Sequence, residues 1–200
     1  MGYQVVLRRL PSDLHHDVFT KTLCLEDVLV STVFGALAYG PPAMFAAWLR
    51  LYTTMPRSSS EMRPEFWPSN MRAGRLQREP DVFLRDQVRN RALVVEAKRG
   101  SMPKPEVLAQ QLVEEGQVAR ATHPGVQLHL LVVSDKRSAQ EAFEQVRSRR
   151  PRLYGARMCE ATWIELVEFL GGWVSRPECD AGHRRMIGDA LNVMAKYGVG

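Results

Sequence analysis

The sequence predicts an α/β domain with a mixed central sheet flanked by helices on both faces. Three observations carry that prediction. Helical stretches that include a charge-free run from Val28 to Leu49 come first, two strand-like runs follow as a meander, and helical and strand periods then alternate to the end. The 200 residues are 45% hydrophobic and 24% charged, which excludes a disordered, collagen-like or disulfide-scaffold chain. A single domain over 1–200 is expected, with a core from about 12 to 160 and closing helices from about 162 to 197.

Ser12 and Asp13 are good N-cap residues, so a first helix is expected from about Ser12 to Tyr39, broken near Thr20. A second fits Ala43 to Thr53. Val28 to Leu49 carries no charge over 22 residues, long enough to span a bilayer, but Gly40-Pro41-Pro42 cuts it in half. Two buried helices joined by a turn explain it better, and no membrane partner is expected. Met55 to Ser60 reads as a loop, and Glu65-Phe66-Trp67 as a short strand ended by Pro68. Asp81 to Arg85 and Ala92 to Lys98 read as strands joined by a turn over Asp86 to Arg91.

After a loop from Gly100 to Pro105 come a helix over Pro105 to Thr122 and an apolar strand over Val126 to Val133. A helix over Ser138 to Arg149 follows, Ser138 and Glu141 forming a capping-box pattern. Tyr154 to Met158 is a last strand, and helices over Thr162 to Leu170 and Asp180 to Tyr197 close the chain.

The net charge of +5 and pI near 9.4 suit an anionic partner such as nucleic acid. The basic residues are 22 Arg and 5 Lys, a bias that GC-rich coding explains most simply and phosphate recognition by guanidinium forks explains otherwise. Cys24, Cys159 and Cys179 have neither metal nor redox-pair spacing, which points to a reducing cytoplasm. Arg8-Arg9 is followed by a polar run rather than a signal-peptide core.

The informative residues are Pro80-Asp81 and Glu96-Ala97-Lys98. In a strand, residues i and i+2 share a face, so Glu96 and Lys98 project together with the Ala97 carbonyl between them. If Asp81 begins the neighbouring strand, two carboxylates, a carbonyl and an ammonium converge. Hard oxygen donors of that kind suit Mg²⁺, with Mn²⁺ as a substitute, and the ammonium can orient or deprotonate a water or neutralise a phosphate. Composition predicts about half of one acidic-x-Lys triplet; one occurs, downstream of the only Pro-Asp. The plainer alternative is a surface Glu/Lys pair at a fraying strand end, with Asp81 as a turn residue.

Arg78-Glu79-Pro80-Asp81-Val82 followed by Val94-Val95-Glu96-Ala97-Lys98-Arg99-Gly100-Ser101 resembles the PD-(D/E)xK nuclease superfamily, the restriction-endonuclease-like fold. Phe66-Trp67-Pro68 and the Gln-bearing helix also resemble bacterial and phage members, and the order of elements is similar over about two thirds of the chain. The resemblance implies a Mg²⁺-dependent nuclease core, with Asp81 and Glu96 as metal ligands and Lys98 as the catalytic lysine.

In many members a Glu from the first helix points at the metal. Glu26 and Asp27 compete for that place, and Glu26 falls within the apolar stripe of Leu25, Leu29, Val33, Ala36 and Leu37. A buried-face carboxylate needs a metal or a cationic partner, and Glu26 is chosen as the ligand, against an Arg-paired core-edge Glu. The helix after the lysine often supplies a Gln. Gln111 lies on its helix's apolar stripe and Gln110 points away, so Gln111 is the candidate, an ordinary helix-edge amide being its alternative. Glu115 shares that face and is given no role. The Tyr that often follows the Gln is absent here, where Glu114-Glu115-Gly116 stand, which argues against the exonuclease branch that carries it.

His15, His16, His123, His129 and His183 form no metal spacing, and the four Trp residues read as core. Arg147, Arg149, Arg150 and Arg152 read as a solvated helix end or as a grip on a phosphate backbone. The expected function is a metal-dependent nuclease acting on DNA, with RNA as another substrate; the alternative is a catalytically silent scaffold of the same fold. Specificity would come from loops, above all Met55 to Gln77, from a homo-oligomer, or from a partner protein.

Overall fold

The computed structural model describes residues 25–53, 55, 63–66, 68, 72–74, 76–77, 79–99, 104–137, 139–149 and 156–199. Thirteen elements lie among them: α1 (Leu25–Tyr39), α2 (Pro42–Tyr52), β1 (Arg63–Phe66), β2 (Arg72–Ala73), β3 (Leu76–Gln77), β4 (Val82–Asp86), β5 (Arg91–Ala97), α3 (Pro105–Thr122), β6 (Gln127–Ser134), α4 (Gln140–Ser148), β7 (Arg157–Thr162), α5 (Trp163–Val174) and α6 (Ala181–Lys196).

Five strands form one mixed sheet in the order β1-β4-β5-β6-β7. β1, β4 and β5 are antiparallel neighbours, whereas β5, β6 and β7 run parallel. The parallel neighbours need crossover connections, and α3 and α4 supply them. Alternation then divides the sheet's side chains. Val82, Leu84, Leu93, Val95, Ala97, Leu131 and Val133 pack with α1, α2, α5 and α6. Phe83, Ala92, Val94, Leu128, Leu130 and Val132 pack with α3 and α4. The architecture is therefore three layers, helices on both faces of an α/β sheet.

Pro41 and Pro42 end α1 and start α2, with Pro in the first turn where its missing N–H costs nothing. Gly40 permits the close approach, since a Cβ there would meet the Ala36 carbonyl oxygen at 2.6 Å. Among the described residues no single helix is long and apolar enough to cross a membrane; only the pair over Glu26–Tyr39 and Pro42–Tyr52, bent by 119°, passes by length and composition. Leu29, Val33, Leu37, Trp48 and Leu49 of that pair are buried in the core.

Several boundaries differ from the sequence reading. The last strand is Arg157–Thr162 rather than Tyr154 to Met158, because pairing with His129 to Ser134 of β6 sets its extent. Thr162 is not the first residue of the next helix but its N-cap, with a reciprocal capping box to Glu165. The helix it opens runs on to Val174, four residues past Leu170, burying Trp173. Within the Met55 to Gln77 segment, β2 and β3 form a hairpin that turns at Gly74, φ 61°. The helix start at Ser12, the caps at Asp13 and Ser138, Trp67, Cys24, Arg150, Arg152, His15 and His16 lie outside the described residues.

Candidate active site

The site lies where β5 ends and β4 begins, on the face covered by α3. Asp81 shares that face with Phe83, and Glu96 shares it with Val94, by the two-residue period of the strands. The Ala97 N–H donates to Asp81 Oδ2 at 2.8 Å, so the Pro-Asp dipeptide is tied to the end of the partner strand. Lys98 stands one residue past β5, but its backbone is fixed on both sides. Its N–H donates to the Val133 carbonyl at 2.7 Å, and its own carbonyl accepts from Trp163 Nε1 at 2.8 Å.

These anchors aim the Lys98 ammonium at two carboxylates. Nζ lies 2.5 Å from Glu96 Oε1 and 3.1 Å from Glu26 Oε1. The Arg99 N–H donates to Glu26 Oε2 at 2.9 Å. Glu26 thus reaches this cluster from the first turn of α1, as its stripe position required. Both of its oxygens accept from protein donors, so the Glu26 carboxylate braces Lys98 and the backbone that follows it. The partner is a Lys, not the Arg of the alternative reading.

Gln111 also reaches the cluster. Its Nε2 donates to Glu96 Oε1 at 2.7 Å and to Glu115 Oε1 at 3.0 Å. Glu115 was passed over in the sequence, yet it is 1% exposed and Glu96 is 2% exposed. The signal that selected Glu26, an acid on an apolar helical stripe, was present at Glu115 too. A depression lined by Glu106, Val107, Gln110, Gln111 and Glu114 opens beside it.

Electrostatics follow from this crowding. Burial, and then the Glu96 charge, push the Asp81 carboxyl up to about 8, against the opposing pull of Lys98 and the Ala97 N–H. Burial likewise raises Glu96, with Lys98 and Gln111 acting the other way. Burial and the Glu96 charge hold Glu115 well above the usual carboxylate range. Burial works against the Lys98 ammonium, but Glu96, Asp81 and Glu26 outweigh it and keep the proton on Nζ more firmly than usual.

Among the described residues no three Asp, Glu, His or Cys side chains stand together as a metal-holding group. The lysine and the Gln111 amide sit among the carboxylates instead. One observation does fit a hard cation: Glu96 Oε2 is buried and has no hydrogen-bond partner. Glu115 Oε2 is in the same condition.

Two of the other described histidines have different surroundings. His123 stacks on Phe83 with centroids 5.4 Å apart. His129 is buried, and burial with Arg91 and Arg157 lowers it to about 4, so it is a neutral core residue. Trp48, Trp163 and Trp173 belong to the core, Trp163 also holding Lys98. Comparison with protein families, with curated proteins and with solved structures gives no match.

Proposed function

We propose that this chain is a divalent-cation-dependent nuclease of the restriction-endonuclease-like type, hydrolysing phosphodiester bonds of DNA. One observation carries the reading. An Asp, a Glu and a Lys spaced as Pro-Asp and Glu-x-Lys meet at the end of two adjacent strands, with the Lys98 ammonium 2.5 Å from Glu96. Two largely buried carboxylates of raised proton affinity are costly for the fold alone, and a bound cation offsets that cost.

Asp81 and Glu96 would hold the ion, with the Ala97 carbonyl as a third donor. The chemistry that Mg²⁺ would supply there is a water of lowered pKa and neutralisation of phosphate charge. Lys98 keeps its proton in this setting, so Nζ serves as a hydrogen-bond donor and a fixed positive charge beside the attacked phosphate. Glu26 and Trp163 hold it in place. Gln111 also holds Glu96, through the same oxygen that Lys98 contacts. The surplus of cationic side chains supplies diffuse attraction to a polyanion.

The second reading is a silent scaffold of the same fold. It is favoured by the absence, among the described residues, of a ready-made group of three metal-binding side chains. The test is incubation of purified protein with supercoiled plasmid, linear duplex, single-stranded DNA and RNA, each with Mg²⁺, Mn²⁺ or EDTA. Cation-dependent cleavage of a DNA substrate supports the nuclease. Binding without cleavage under every condition selects the scaffold.

A further inference from the structure

We propose that Glu115 is a positioning residue that holds the Gln111 amide against Glu96, a role that rests on the nuclease reading of the site. α3 places Gln111 and Glu115 one turn apart on its inward face. A single nitrogen, Gln111 Nε2, donates to both Glu96 Oε1 and Glu115 Oε1. Glu96 Oε1 in turn is in contact with Lys98 Nζ, and Lys98 Nζ with Glu26 Oε1. The five side chains form one continuous polar chain, anchored on α1 at one end and α3 at the other.

The distal anchor matters because Gln111 has somewhere else to go. It also lines the surface depression beside Glu106, Val107, Gln110 and Glu114. A flexible amide with an open side would swing toward water unless an acceptor on the inner side holds it. Glu96 is one such acceptor and Glu115 supplies the second, on the amide's own helix. The position otherwise belongs to hydrocarbon, since Leu108, Leu112, Val118 and Ala119 of the same helix are all buried. An apolar side chain would fill it without the cost of burying a carboxylate. Gln111 and Lys98 both lie on Glu96 Oε1, and the Glu115 carboxyl stands close enough to Glu96 to share a hydrogen bond with it, so the amide and the two carboxyls brace one another.

The experiment compares the full chain with Glu115→Gln and Glu115→Leu. Its readouts are the Gln111 side-chain amide resonances, assigned by their loss in Gln111→Glu, Mn²⁺ affinity by calorimetry, and kcat and KM on supercoiled plasmid. Glu115→Gln still offers a side-chain carbonyl to Gln111, so it keeps the parent's amide resonances and loses less than about 3-fold in kcat. Glu115→Leu offers none. Its Gln111 resonances move to the position of a free amide, and kcat and Mn²⁺ affinity each fall about 10-fold to 100-fold, the usual worth of a partner that orients a metal ligand, with KM unchanged. A merely structural role would lower the melting temperature and leave kcat alone. Unmoved Gln111 resonances in Glu115→Leu overturn the proposal, and so does an equal loss in both variants, which would assign the effect to the charge. A parent that neither binds Mn²⁺ nor cuts any substrate sinks the nuclease reading instead, and the amide resonances then decide the tether on their own.

Discussion

The two faces of β5 are built from neighbouring residues and behave oppositely. On one face Leu93, Val95 and Ala97 are buried hydrocarbon to the end of the strand, under α1, α2, α5 and α6. On the other, Ala92 and Val94 are equally buried, but the series ends in Glu96 and, just beyond the strand, Lys98. One face is optimised for burial throughout. The other spends its last two positions on charges that the fold must then engage with Asp81, Glu26, Gln111 and Glu115. A sheet that only needed to fold would finish both faces alike, so the asymmetry marks where function is to be sought.

The largest expected effect on this contrast is at Lys98. Lys98→Ala should lower cleavage at least about 10²-fold, the usual worth of one fixed charge or donor at a reacting centre. Filter binding should show little change in DNA affinity, because one cation of 27 contributes little to a diffuse attraction. Cleavage at the parental rate would remove the functional half of the comparison.

Next comes the hydrocarbon face. Leu131, fully buried in β6, should cost about 2–5 kcal/mol on truncation to Ala, read by urea unfolding. Specific activity of the folded fraction should not change. A larger loss of activity than of stability would mean that the two faces are coupled.

The third prediction is one of pH. The Asp81 carboxyl is raised to about 8 in the fold from an ordinary value of 3.8. A raised carboxyl binds its proton more tightly folded than unfolded, so its contribution is favourable below about pH 4 and is lost as pH rises towards 8. Ion-free protein should therefore lose stability across that window. Asp81→Asn should flatten the loss and be the more stable protein at pH 8, with the difference fading at pH 4. Thermal melts in EDTA across the pH range read this directly. Mg²⁺ should raise the parent's melting temperature at pH 8 and leave that of Asp81→Asn almost unmoved.

The smallest effect belongs to Glu26. Its side chain is 18% exposed and bonds Lys98 and the Arg99 N–H, so Glu26→Gln should cost about 1 kcal/mol, a pair weakened rather than a buried charge orphaned. A gain in stability without Mg²⁺ would instead support Glu26 as a metal ligand, relieved of repulsion from Asp81 and Glu96.

What was legible in the sequence follows the same division. α3 was readable to the residue because Pro105 opens it and His123-Pro124-Gly125 ends it. Glu96 and Lys98 were readable because a strand's period is two. Arg157–Thr162 was misplaced because Arg-Met-Cys-Glu-Ala-Thr has no alternation and its extent comes from pairing with β6. The β2–β3 hairpin is too short for any period to register. The stripe argument placed Glu26 near the site, but its bond to Lys98, 72 residues away in sequence, is a tertiary contact that no local pattern encodes. Glu115 satisfies the same stripe rule, but its bond to Gln111 is what gives it a place in the site, and the sequence pattern assigns it no role.

On the proposed function, the charged end of β5 carries out cation-dependent phosphodiester hydrolysis. The most direct measurement is plasmid nicking by the parent and by the double variant Asp81→Asn, Glu96→Gln, purified in parallel. The parent should nick in Mg²⁺ and not in EDTA, and the double variant should nick in neither. Equal nicking by both proteins, or nicking by the parent that EDTA does not stop, would contradict it.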